Sequence, residues 1–226
     1  MKKIIFIGTD TPHRRYFLNE ISKNYDIKKI FFEEYRVKPA FKIESTFDKK
    51  EAIFEEKFFN NMGFKDLLNK VEVVRRGHDQ IVREYIIREK IDLAIVFGAS
   101  KLDMKSLDIL KDYAINIHRG IAEEYRGLDS NFWALYHKDL INVGVTLHKI
   151  EDELDKGEIY RQSQIKYPKD IKVFKMRFYE TLLATQMTQE FLLDYEREKT
   201  KFRKQKKEGR YYSFMPSVLK NLLKFN

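Results

Sequence analysis

The side chains of this chain best suited to chemistry lie between Asn116 and Gln162, in the stretch NIHRGIAEEYRGLDSNFWALYHKDLINVGVTLHKIEDELDKGEIYRQ. Asn116 and His118 alternate on an apolar segment, so in a strand they share one face. Asp152 and Asp155 stand in the polar turn Asp-Glu-Leu-Asp-Lys-Gly that follows. An amide, an imidazole and a carboxylate brought together can take a proton from an amine and hold the oxyanion of an acyl transfer. Arg119-Gly120 follow His118 directly, which keeps the backbone open to a ligand. No metal-ligand spacing stands out, and the chain has no cysteine, so neither a disulfide framework nor a thiolate metal site is expected.

These residues need elements to position them. Residues 3–8 read as a buried parallel strand, 12–23 as a helix with Pro12 in its first turn, and 28–32 as a second strand. This β-α-β opening points to a Rossmann-like, doubly wound and mostly parallel α/β sheet. The turn Gly8-Thr9-Asp10-Thr11-Pro12 lacks a three-glycine dinucleotide fingerprint; it is either an ordinary helix start or a phosphate site aided by Arg14 or Arg15. Residues 41–70 suggest one or two amphipathic helices broken near Gly63. Strands over 71–74, 91–97 and 113–118, with helices over 79–90 and 104–111, continue the alternation.

Beyond residue 118 the pattern changes. A loop carries Tyr125-Arg126-Gly127, a helix covers about 131–137, and strands cover 143–150 and 158–167. A long helix lies within 168–198, a basic run fills 196–210, and the aromatic tail 211–216 ends in a possible amphipathic turn over 217–225. This divides the chain into a catalytic domain over 1–195 and a basic, aromatic extension over 196–226.

Length and composition agree. The chain has 226 residues, 43% of them hydrophobic and 14% aromatic, enough for a core of one large domain. No apolar run is long enough to span a bilayer and the start is too short for a signal peptide, so a cytoplasmic location is expected, without membrane insertion. The net charge of +9 suits an anionic partner or reflects a Lys-rich compositional bias.

Taken together, Asn116-Ile117-His118, Tyr125-Arg126-Gly127, Gly144-Val145-Thr146-Leu147-His148 and Asp152-Glu153-Leu154-Asp155 resemble the motifs of the folate-dependent formyltransferases. The resemblance covers about residues 90–165 well and the N-terminal strands in outline. It implies transfer of a formyl group from 10-formyltetrahydrofolate to an amine, with Asn116, His118 and Asp155 catalytic and Asp152 the rival carboxylate. It also implies folate contacts from Phe97, Gly98, Ala99, Lys101 and Leu102 on one loop and from Ile150, Asp152 and Glu153 on another. His148 reads as structural.

Three acceptors compete. Methionyl-tRNA formyltransferases carry a further C-terminal β-barrel-type domain, and glycinamide ribonucleotide transformylases carry a phosphate loop that Thr9-Asp10-Thr11-Pro12 does not match. The loop from His118 to Ser130 looks most like enzymes that formylate nucleotide-linked amino sugars for surface polysaccharides. On that resemblance Arg119, Gly120, Tyr125, Arg126, Asp129, Ser130 and Trp133 bind the substrate, with Tyr125 and Trp133 flanking a sugar or base and Arg126 holding a diphosphate. Folate hydrolysis to formate ranks below transfer. A non-enzymatic, basic nucleic-acid-binding module is the alternative outside catalysis; the intact Asn116, His118 and Asp155 weigh against it. The aromatic tail makes a homodimer plausible.

Overall fold

The computed structural model describes residues 2–39, 41, 46–59, 64–110 and 114–225. The expected helix break near Gly63 lies outside the described residues. Strand β1 (Ile4–Thr9) is buried along its whole length, as an apolar run with a helix layer on each face must be. It pairs in parallel with β2 (Ile27–Glu33) and β4 (Leu93–Phe97). Strand β3 (Val71–Val74) extends the sheet beside β2, and β5 (Ala114–His118) beside β4, both in parallel. Two antiparallel strands, β7 (Gly144–Lys149) and β8 (Ile159–Gln164), complete a seven-stranded sheet of order β3-β2-β1-β4-β5-β7-β8. The mostly parallel α/β fold expected from the sequence is therefore the one observed.

The crossovers are α1 (Pro12–Ser22), α3 (Gln80–Glu89) and α4 (Met104–Leu110). Helix α2 (Thr46–Phe59) packs on α1. The long helix α6 (Met176–Glu196) lies over α1 and β7, and its buried residues join the larger core with Phe6, Phe17 and Leu147. It lies within the range 168–198 expected for a long helix; Asp170 adopts a left-handed φ of 58°, and a short 3-10 turn, Val173–Lys175, leads into it.

The region after β5 differs most from the expected loop. Tyr125–Gly127 is a strand, β6, followed by α5 (Ser130–Tyr136). Its partner is β9 (Arg210–Tyr212), in the C-terminal tail, paired in parallel. A last short helix, α7 (Ser217–Lys220), follows, and Met215 and Leu223 enter the main core. The segment 196–225 is thus packed on the same core as the sheet.

Candidate active site

Ligands of open α/β sheets gather at the carboxyl ends of the parallel strands, and here β5 ends in Asn116 and His118. Its antiparallel neighbour β7 places His148 opposite Asn116 and Thr146 opposite His118. The turn after β7 brings Asp155 back over both, in a left-handed conformation (φ 56°) that Asp tolerates better than most residues. Asn116, His118, His148 and Asp155 line one cleft of about 1110 Å³, counting its open mouth.

The hydrogen bonds assign atoms to roles. His118 Nε2 lies 2.8 Å from the Tyr125 carbonyl oxygen, which can only accept, so this nitrogen carries the proton. Nδ1 is left as the basic atom, 3.3 Å from Asp155 Oδ2. The same carboxylate oxygen accepts the Gly127 N–H at 2.8 Å. Asn116 Nδ2 lies 3.1 Å from His148 Nε2 and 3.3 Å from Asp155 Oδ1, so the amide bridges the second imidazole and the carboxylate. His148 Nδ1 donates to the Lys149 carbonyl at 2.7 Å, leaving its Nε2 to accept from Asn116. His148 was expected to be merely structural; it belongs to the cluster, 3.3 Å from Asp155 Oδ1.

Burial pulls the His118 imidazole below its ordinary pKa, against the raising influence of Asp155 and the Tyr125 carbonyl. It is therefore a neutral base at neutral pH. Burial alone would raise the Asp155 carboxyl, but the attraction of the His118 and His148 imidazoles in their protonated forms, with the Gly127 N–H, holds it well below the usual carboxylate range. An ionised Asp155 facing Nδ1 stabilises a proton arriving there.

Most of the residues expected at the folate loops line the cleft: Phe97, Gly98, Ala99, Lys101, Leu102, Ile150 and Glu153. Asp152 does not. It is exposed and pairs with Lys101 Nζ at 3.0 Å. Glu33, which sequence reasoning passed over, anchors the first loop from β2: its buried carboxylate accepts Gly77 N–H at 2.7 Å and Ser100 N–H at 2.7 Å, and also the Ser100 hydroxyl.

The residues expected to bind substrate divide. Arg119, Asp129 and Ser130 line the cleft, although Asp129 also holds Lys220 Nζ at 3.0 Å and Met215 N–H at 2.9 Å. Gly120, Tyr125, Arg126 and Trp133 do not reach it. A Cβ on Gly120 would stand 2.5 Å from His118 Nε2, so this glycine gives the imidazole room. The Tyr125 hydroxyl donates to Asp139 at 3.0 Å, and its ring stacks on Tyr212. The Arg126 guanidinium is buried on the Gly209 carbonyl (2.6 Å), the Leu154 carbonyl (3.2 Å) and Glu208 (2.7 Å). Trp133 stacks on Tyr212 and donates Nε1–H to the Ser213 carbonyl at 2.8 Å, so it fastens the tail.

Three charged side chains on the inner wall had weak or no sequence signal: Arg14 from α1, and Arg177 and Glu180 from α6. Arg177 and Glu180 are three residues apart on the buried face of a helix, and an i, i+3 charged pair on such a face was the available clue. Arg14 was marked only as a possible phosphate ligand.

An open α/β sheet that delivers an amide, an imidazole and a carboxylate to one cleft holds the groups that an acyl transfer needs. The family model described as formyl transferase matches residues 38–177, more than half of the chain, and the chain belongs to that family. A methionyl-tRNA formyltransferase of Borrelia garinii subsp. bavariensis is 33% identical over 91 residues, 40% of this chain and 26% of that protein. The chain thus spans about a quarter of the length of that relative. Among solved structures, the formyltransferase PseJ from Anoxybacillus kamchatkensis, in complex with UDP-4,6-dideoxy-4-formamido-L-AltNAc and tetrahydrofolate, superposes with a TM-score of 0.58 at 19% identity, covering 94% of this chain and 86% of that one. A sugar N-formyltransferase from Shewanella sp. FDAARGOS_354 gives 0.66 at 15% identity, covering 100% and 81%. At such identities the likeness is one of fold.

Proposed function

We propose that this chain transfers the formyl group of 10-formyltetrahydrofolate to the amine of a nucleotide-linked amino sugar, a cytoplasmic step in making surface polysaccharide. The observation that carries this is the cluster at the end of β5: His118 Nδ1 facing Asp155, with Asn116 between Asp155 and His148. The fold shared with sugar N-formyltransferases supports the acceptor class.

The cleft suits the donor. One wall is the turn after β4, the other the turn after β7, and Val96, Leu102, Ile150 and Leu154 lie between them. Apolar faces edged by peptide groups fit a flat, amide-edged ring such as a pterin. When bound, the donor supplies an electrophilic formyl carbon on a nitrogen that can leave as an amine.

The protein's own residues do the rest. His118 takes the amine's proton at Nδ1 as the C–N bond forms, and Asp155 balances the resulting imidazolium. That proton is then available to the departing nitrogen of the folate. Asn116 turns an N–H toward the formyl oxygen as negative charge gathers there. Its present bonds, at 3.1 and 3.3 Å, are long enough to be exchanged for that one.

Methionyl-tRNA is the second acceptor, favoured by the sequence relative named above. A formyl-transfer assay with 10-formyltetrahydrofolate decides between them. Turnover on a nucleotide-linked amino sugar supports the proposal, and turnover on methionyl-tRNA alone overturns it.

A further inference from the structure

We propose that the inner wall of the cleft carries an oxyanion subsite, built by Arg14, Arg119 and Arg177, that receives a phosphate or carboxylate group of the acceptor. The assignment of that group to the acceptor rests on the function proposed above; the subsite itself rests on the geometry of the three guanidinium groups.

They come from three elements and converge on one cavity that also contains Asn116 and His118. Arg14, on α1, is 6% exposed. Its Nη1 reaches the Thr9 carbonyl (3.3 Å), the Thr9 hydroxyl and the Thr11 hydroxyl (3.4 Å), while its buried Nε has no hydrogen-bond partner among the described residues. Arg119 follows His118 directly. Its buried Nη1 also lacks a hydrogen bond among the described residues, and Glu180 Oε2 stands 3.8 Å away, too far for one. Arg177 pairs with Glu51 at 2.8 Å and Glu55 at 3.5 Å.

The carboxylates around them are already shared. Glu180 accepts from Asn131 at 2.9 Å, and Glu55 holds His13 at 3.0 Å. Burial raises the Glu51 carboxyl to about 7 and pushes the Glu180 carboxyl upward, so near neutrality both hold less than a full negative charge. Burial lowers the Arg14 and Arg119 guanidiniums, and Arg177 depresses both further. Against its burial, Arg177 and His13 hold the Glu55 carboxyl down at about 2 and so ionised. Three guanidiniums thus face one fully charged carboxylate and two that burial holds back, and two buried N–H groups have no acceptor among the described residues. Buried, unpaired cationic donors are costly. An incoming oxyanion supplies both the missing charge and the missing acceptors, and guanidinium forks match phosphate and carboxylate oxygens well. Because Arg119 is the neighbour of His118, an acceptor anchored there presents its amine close to the base.

The test is titration calorimetry on the full chain without folate, using inorganic pyrophosphate, inorganic phosphate and succinate as probes. Saturable binding of at least one probe, weakened tenfold or more by Arg119→Gln and unchanged by Lys199→Gln on the exposed basic run, supports the subsite. Preference for pyrophosphate identifies a phosphate-bearing acceptor, and preference for succinate a carboxylate-bearing one. Absence of saturable binding by any probe, or equal weakening by both variants, overturns it. The readout involves neither folate nor turnover, so it fails or succeeds independently of the formyl-transfer proposal.

Discussion

At the scale of single residues, the account turns on which nitrogen of His118 is free. The Tyr125 carbonyl holds Nε2, so Nδ1 is the free nitrogen and, on the proposed mechanism, the base; Asp155 faces it. Because burial lowers the His118 pKa below 6.5, turnover at low substrate falls in acid only below that value. Asp155 raises the His118 pKa, so Asp155→Asn moves the acid limb of kcat/KM to lower pH as well as reducing its plateau; a pH–rate profile of both forms checks this. Loss of one oxyanion donor typically costs ~3 kcal/mol, so Asn116→Ala lowers kcat by about a hundredfold or more, with folate affinity largely kept. The motif made Asn116, His118 and Asp155 legible because their spacing is local to two strand ends. His148 was not legible: in sequence it is one more alternating position on a buried strand, and only the β5–β7 register shows that it faces Asn116. The partners of Arg126 were hidden for a different reason. An arginine in a loop invites a ligand, but the carbonyls of Leu154 and Gly209 that occupy it come from segments far away in the chain.

At the scale of elements, β7 explains the Gly-x-Thr-x-His pattern. Gly144 exchanges hydrogen bonds with the Asn131 side chain at 2.8 and 2.9 Å, which fixes α5. Thr146 donates to the Gly120 carbonyl at 2.7 Å and accepts from Ala122 N–H at 3.0 Å, which fixes the loop after His118. His148 holds Asn116. Each inward position of one strand therefore positions a different part of the site. Thr146→Val leaves two buried backbone groups without this partner and costs about 1–3 kcal/mol, measured as a lower midpoint of thermal unfolding. Strand β6 is the second such element. Gly127 has a φ of 88°, and a Cβ there would stand 2.2 Å from the Tyr212 carbonyl oxygen. Gly127→Ala accordingly forces β6 from β9 and disturbs the N–H that Asp155 accepts; the variant loses both unfolding midpoint and kcat. The sequence pattern displayed the parallel strands because continuous apolar runs mark them. It hid β6 and β9, three residues each, because so short a pairing has no periodicity to read.

At the scale of the molecule, the C-terminal segment braces the loop after His118, β6 and α5. The basic run is stitched to the loop after His118: Arg203 grips Glu123 with both Nη atoms at 2.8 Å, and Lys207 pairs with Glu124. With Gln162 and the Lys206 N–H, Arg203 lowers the Glu123 carboxyl to about 2 despite partial burial. Arg203 and Lys207 of the basic run are thus engaged by carboxylates of the chain itself. Further along, Tyr212 stacks between Tyr125 and Trp133, and buried Lys220 pairs with Asp129. Removing residues 209–226 is expected to lower the unfolding midpoint and abolish formyl transfer, since β6 loses its partner and Asp129 its cation. No helix among the described residues is long and apolar enough to cross a membrane.

The measurement that bears most directly on the central claim is formyl transfer from 10-formyltetrahydrofolate to a panel of nucleotide-linked amino sugars, with methionyl-tRNA and glycinamide ribonucleotide alongside. The account predicts turnover on one amino sugar by the wild type, falling about a hundredfold or more in Asn116→Ala and His118→Ala. Turnover on none of the sugars, or turnover that both variants retain, would contradict it.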